Sequence, residues 1–196
     1  MPETEDEKLE ETAKNTEPEQ PQKEKKESVW SILLPMVIAV IAALLFCNFV
    51  ARPSRVFGES MQNTCHDGDL MILWELNYHP QRGDIIVVDN HNNSLNGNDP
   101  LNKNLIKRVM AVGGDHITVS QGTVTVNGKK LTEPYVKEKV WSGSDVDLTI
   151  PQGKVFLMGD NRSHSADSRV IGPVSTSRII GKVCVRFYPF TAVRTF

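Results

Sequence analysis

A run of 22 residues without a charge, VWSILLPMVIAVIAALLFCNFV at positions 29–50, constrains this chain more than any other feature. As a helix it extends about 33 Å at 1.5 Å per residue, enough to cross a hydrocarbon core of about 30 Å. It is apolar on every side, which argues for a transmembrane helix rather than an amphipathic one on a globular surface. Pro35 lies near its start, where a missing N–H costs least. A cleaved secretory leader would have a shorter apolar core behind a basic start, whereas here an acidic segment comes first. Lys23, Lys25 and Lys26 precede the run, and Arg52 and Arg55 follow it. The positive-inside rule therefore leans slightly towards a cytoplasmic N-terminus.

Charge is unevenly spread around that run. Residues 1–28 carry ten acidic groups against five lysines, a net of −5, with three prolines and almost nothing apolar. Such a segment cannot bury enough surface to offset the entropy of ordering, so it reads as a disordered acidic tail. From Ala51 on, 17 Lys and Arg face 14 Asp and Glu, a net of +3. That balance is too small and scattered for nucleic acid, which demands a clustered basic face. Cys47, Cys65 and Cys184 offer no paired framework and no metal-ligand spacing, so neither a metal nor a cofactor is expected. A Cys65–Cys184 disulfide has only the even count beyond Cys47 in its favour.

Beyond residue 50 the pattern turns to short β-like runs. They are LMILWE (70–75), DIIVVD (84–89), LIKRVMAV (105–112), HITVS (116–120), TVTVN (123–127), KVFLMG (154–159) and RIIGKVCVRFY (178–188). Strand formers crowd these runs, and Arg82-Gly83-Asp84, Gly113-Gly114-Asp115 and Asn127-Gly128 punctuate them as turns. No helical period of useful length appears. The expectation is one mostly β domain over residues 51–196, an antiparallel, barrel-like sheet. Residues 90–104 read as an exposed loop and 132–150 as a small, irregular insertion.

Four segments of this domain are chemically suggestive together. They are Gly58-Glu59-Ser60-Met61-Gln62-Asn63-Thr64, Arg82-Gly83-Asp84-Ile85-Ile86-Val87-Val88, Lys107-Arg108-Val109 with Gly113-Gly114-Asp115, and the run GDNRSHSADSR at 159–169. Singly each has an ordinary explanation: a turn serine, a solvated strand lysine, a polar loop with an internal ion pair. In this order, behind an apolar run, they resemble the sequence boxes of the bacterial type I signal peptidases in their compact Gram-positive form. The resemblance covers residues 29 to about 190, and GDNRSHSADSR is its most specific part. It implies a membrane-bound serine endopeptidase that cleaves signal peptides from exported preproteins. Ser60 would be the nucleophile and Lys107 the general base, with Ser165 orienting the lysine and Asp167 and Arg169 bracing the site as a buried ion pair. The implied partners are preprotein signal peptides and the phospholipid bilayer, with the catalytic domain on the extracellular side.

Elementary chemistry tests that assignment. A serine hydroxyl is a poor nucleophile unless an adjacent base takes its proton, and Ser–Lys pairs do this in known hydrolases. A lysine with an ordinary pKa of about 10.4 is protonated at neutral pH, so the base must be desolvated. Under strand alternation Lys107 shares a face with Leu105, Val109 and Ala111, while Arg108 shares the other with Ile106, Met110 and Val112. Alternation alone does not decide which face is buried. The oxyanion needs two donors. The Ser60 N–H is the first expected, and Gly58 stands where many relatives have a hydroxyl residue, so its N–H is the second.

Two positions depart from the family's usual prolines: Asn63, three residues past the serine, and Gly113, before Gly114. Both residues suit turns, so the backbone path is expected to survive. Between Val50 and Ser60 an extended chain reaches at most about 36 Å, which leashes the serine to the bilayer surface. Exposed apolar surface near Val56 and Phe57 would help the domain lie on lipid. A Ser-His-Asp hydrolase would need a Gly-x-Ser-x-Gly elbow, and a penicillin-binding enzyme a Ser-x-x-Lys; neither occurs. His164 reads as a loop residue. The remaining alternative is a catalytically silent membrane-anchored β module that assists pilin or surface-protein assembly.

Overall fold

The computed structural model describes residues 29–49, 51–90, 104–138, 140–141 and 143–196. The expected acidic tail at 1–28, and all but the ends of the expected loop at 90–104, lie outside them.

Helix α1 spans Val29–Phe49, 21 residues with no acidic or basic residue in its end turns and Pro35 inside. The described apolar side chains along it are exposed, from Leu33 at 44% to Trp30 at 74%. Among the described residues no helix is long and apolar enough to cross a membrane. The chain divides into two units within α1, after Val40.

All strands belong to the second unit: β1 Ala51–Arg55, β2 Leu70–Trp74, β3 Ile85–Val88, β4 Leu105–Val112, β5 His116–Ser120, β6 Thr123–Val126, β7 Lys129–Lys130, β8 Val146–Thr149, β9 Lys154–Met158, β10 Val174–Ser175, β11 Ile179–Tyr188 and β12 Arg194–Thr195. Among the described residues they form two sheets. The larger runs β1-β2-β11-β3-β4-β9-β10, with β12 on β11, and the smaller runs β7-β6-β5-β8. Every pairing is antiparallel.

The seven strands expected from the sequence form within a residue or two of their runs. Five short ones were not expected, and their sequences explain why. ARPSR at β1 holds Pro53, which lacks the N–H an inner strand must donate and is at home on an edge. Residues 132–150 are less irregular than expected, because VDLT pairs with β5 as β8 and Trp141 is buried.

Three apolar clusters fill the domain. Ile117, Val119, Val124 and Val126 of the small sheet pack on Met110, Phe156 and Met158 of the large one. Val56, Met61, Cys65, Met71 and Leu73 pack with Ile85 and Val183, and Ile86, Val88, Val109 and Leu157 form the third. Strand β4 is therefore buried on both faces, and the β4–β9 register shifts between Val109 and Ala111. That bulge breaks the strict alternation, so Ala111 joins Met110's cluster instead of Val109's. The large sheet curls, since β1 and Ile106 of β4 line one groove although β2, β11 and β3 separate them. Among the described residues it does not close into a barrel, and β1 and β10 are its ends. Cys65 and Cys184 are free thiols.

Candidate active site

Ser60 opens a turn at 60–64 that is rooted in the core by Met61 and Cys65, both buried. Their i,i+4 backbone bond, Cys65 N–H to Met61 C=O at 2.8 Å, leaves Ser60 at the rim, half-buried. No hydrogen bond from the Ser60 N–H forms among the described residues. The far end of the turn is held by Arg186 of β11, which donates to the Thr64 carbonyl at 3.2 Å and to Asp69 at 2.9 Å.

Lys107 projects from the middle of β4 and is only 3% exposed. Its Nζ lies 2.7 Å from Ser60 Oγ and donates to the Ile106 carbonyl at 3.0 Å. Burial pulls its pKa down from 10.5 to about 8; Asp167 and Asp160 push the other way, and Arg169 adds to the fall. An amine with that affinity is present as free base in a useful fraction near neutrality. The serine thus has a base within hydrogen-bond reach.

The 159–169 run folds around this pair. Asp167 and Arg169 form a buried ion pair, Nε to Oδ1 at 2.8 Å, and Asp167 also accepts the Gly159 N–H at 3.0 Å. Arg169 carries on to the Arg162 carbonyl at 2.6 Å, which closes the loop on itself.

Two expected contacts do not form among the described residues. The Ser165 hydroxyl is buried without a partner, because the lysine's other bond goes to its own strand at Ile106 and not to Ser165. The Gly58 N–H donates to Asp67 at 2.8 Å and so is not open to an oxyanion. Of the apolar pair next to the serine, Phe57 is exposed at 57%, but Val56 turns into the core.

The structure also brings in residues to which the sequence reading gave no role. Asp160 takes a two-pronged pair from Arg108, at 2.9 and 2.7 Å, and a hydrogen bond from Thr64. Asn161 donates its backbone N–H to the Ser60 carbonyl and its amide to the Glu59 carbonyl, both at 3.0 Å. Gly159 is required here, because a Cβ would run into Ser165 Oγ and the Ser60 carbonyl. His164 is exposed, and the carboxylates on either side of it are taken by Arg108 and Arg169. Among the described residues no cluster of His, Cys, Asp or Glu gathers to hold a metal.

Residues 29–188 match the family model described as signal peptidase, peptidase S26. The chain belongs to that family. It is 34% identical over 183 residues to signal peptidase I of Bacillus licheniformis, covering 87% of this chain and 94% of that protein. It is 34% identical over 194 residues to signal peptidase I T of Bacillus subtilis (strain 168), covering 92% and 96%. A crystal structure of a signal peptidase I from Enterococcus faecalis V583 is 27% identical and covers 54% of this chain and 97% of that chain, with a TM-score of 0.44. The chain is a serine endopeptidase of the signal peptidase I type.

At Asn63 and Gly113, where the resemblance implied proline, the local backbone accounts for the residue present. Asn63 sits at φ 77°, which a pyrrolidine ring fixed near −65° cannot adopt. At Gly113 a Cβ would come within 3.0 Å of Gln152 Cα and 3.1 Å of the Pro151 carbonyl, so glycine lets those two backbones approach.

Proposed function

We propose that the chain is a membrane-anchored endopeptidase that removes N-terminal signal peptides from exported preproteins, with Ser60 as nucleophile and Lys107 as general base. The observation that carries this reading is the 2.7 Å approach of a buried, pKa-lowered amine to a serine hydroxyl. It favours an enzyme over a silent assembly module, which would have no use for an uncharged lysine against a serine.

In the proposed cycle the free-base Lys107 accepts the Ser60 proton as Oγ attacks the scissile carbonyl carbon. The Ser60 N–H donates to the oxygen as it becomes negative. The Lys107 ammonium then gives its proton to the leaving amine, and an ester on Ser60 remains. Water attacks that ester while Lys107 again takes and returns a proton. Ser165, whose buried hydroxyl is unpartnered, is the acceptor we assign to the ammonium.

A groove of about 440 Å³ is lined by Phe57, three residues before Ser60, and by Ile106, the residue before Lys107. One wall is β1 continued through Val56 and Phe57, the other is Asn104 and Ile106, and Met71, Leu73 and Val87 form the floor. An extended peptide adding to the edge of β1 would run along this apolar floor towards Ser60. Small residues before the scissile bond are the family preference that such a groove would serve.

The anchor is α1: a 21-residue apolar helix directly preceding β1. We assign its N-terminus to the cytoplasm and the catalytic domain to the extracellular side. The test compares wild type with Ser60→Ala and Lys107→Ala on a preprotein in detergent. Both variants are expected to lose at least about a thousandfold in rate. Mature product released at the wild-type rate by either variant would overturn the pair.

A further inference from the structure

Residues 133–138, Glu-Pro-Tyr-Val-Lys-Glu, belong to neither sheet, yet they touch both loops that hold the proposed pair. The Tyr135 ring lies 3.9 Å beneath the Arg108 guanidinium, on the face left open by the arginine's in-plane bonds to Asp160 and the Gly83 carbonyl. Asp160 in turn takes the hydroxyl of Thr64, four residues past Ser60. The Lys137 N–H donates to the Asp160 carbonyl at 3.1 Å, and its Nζ reaches Gln62, two residues past Ser60. Glu133 pairs with the buried Arg162, and Glu138 accepts the Arg162 N–H at 3.1 Å. The next residue back from Arg162, Asn161, holds the Ser60 and Glu59 carbonyls.

We propose that residues 133–138 are a positioning strap, with Tyr135 as its key, that clamps the 159–162 loop onto the nucleophile turn and so keeps Ser60 Oγ on Lys107. The strap touches neither reacting atom and acts through Arg108, Asp160 and Asn161. Tyr135 suits the task because burial raises its phenol above the ordinary value, so it stays a neutral ring. Its face excludes water from the Arg108–Asp160 pair, and a desolvated pair holds its geometry more firmly. A small displacement of a nucleophile is costly in rate while leaving substrate binding intact.

This inference rests on Ser60 and Lys107 being the reacting pair, so Ser60→Ala is assayed beside the strap variants. The full chain in detergent cleaves one preprotein, and kcat and KM are measured separately. Tyr135→Ala is expected to lower kcat by about tenfold or more with KM within about twofold. Tyr135→Phe keeps the face that meets Arg108 and loses only the hydroxyl's bond to Glu133, so it is expected to restore kcat to within about twofold. Tyr135→Leu, which fills the space without a π face, is read in the same way should the alanine variant not fold. Wild-type kcat in the alanine and leucine variants, an equal loss in the phenylalanine variant, or a loss carried by KM overturns the strap. A Ser60→Ala protein that still cleaves overturns the pair and the strap with it, whereas an inactive one beside an unimpaired Tyr135→Leu overturns the strap alone.

Discussion

At Lys107, burial sets both the rate of the proposed reaction and a cost in stability. The amine's pKa falls from 10.5 to about 8 because it sits 3% exposed among apolar side chains. Only the free base can take the Ser60 proton, so kcat/KM should rise about tenfold per pH unit below 8 and level off above it. A rate that stays flat between pH 6 and 9 would remove the lysine from its role. The same burial acts on folding with a definite sign. Below about pH 8 the lysine is protonated in both states, and the native protein bears the full cost of a buried charge. Between about 8 and 10.5 the unfolded chain still binds the proton and the native one does not, so stability rises with pH. Above 10.5 the cost is gone. Lys107→Met should therefore be more stable than wild type at pH 6.5, by roughly 3 kcal/mol, and the advantage should fade towards pH 10.5. Denaturant unfolding at the two pH values measures it, and an equal difference at both would mean the amine is not desolvated in the native state.

At the scale of the element, the 159–169 run is held at a tolerance that a single methyl would exceed. Gly159→Ala drives a Cβ into Ser165 Oγ and the Ser60 carbonyl, and the relief available is to move one of the two. Overpacking of this kind costs about 1–3 kcal/mol, and here the strain bears on the nucleophile turn. We expect a loss of activity above about a hundredfold with a far smaller fall in melting temperature; activity retained would show the loop to be plastic. Asp160→Asn tests the neighbouring contact differently. It leaves Arg108, 11% exposed in its side chain, without a countercharge, and breaking a buried pair costs about 3–5 kcal/mol. Here the unfolding midpoint should fall along with the rate. These contacts mark what the sequence could and could not say. The strands β2 to β6, β9 and β11 were legible because apolar alternation and Gly-containing turns are local signals. Strands β1, β7, β8, β10 and β12 were not, since none carries a run of strand-forming residues between turn signals, and each forms because a neighbour offers an edge. The four motif segments together pointed to Ser60, Lys107, Ser165, Asp167 and Arg169 as candidates. The Asn161 clamp on Ser60 and the Tyr135 face on Arg108 join residues far apart in the chain, and no local pattern announces them. Asn63 shows the converse: its suitability for a turn was readable, but the left-handed backbone that excludes proline was not.

At the scale of the whole molecule, the proposed anchor governs which substrates the enzyme meets. An apolar helix of 21 residues that leads directly into β1 would tether the catalytic unit to the bilayer that also holds an uncleaved signal peptide. Tethering two partners to one surface replaces bulk encounter by a high effective concentration, and no new contact is needed for that gain. It follows that loss of the anchor should penalise membrane-held substrates far more than soluble ones. Ile38→Arg with Ile41→Arg sets two charges in the middle of α1, each costing about 2.5–3.5 kcal/mol at the centre of a membrane helix. The expected outcome is a protein that moves from the membrane pellet to the supernatant on alkaline extraction. In proteoliposomes its processing of a preprotein should fall by at least about tenfold. In detergent its cleavage of a short soluble peptide should match wild type, because Ser60, Lys107 and the groove lie outside the changed helix. A double variant that remains in the pellet, or that processes preprotein in liposomes at the wild-type rate, would show that α1 is not what brings enzyme and substrate together.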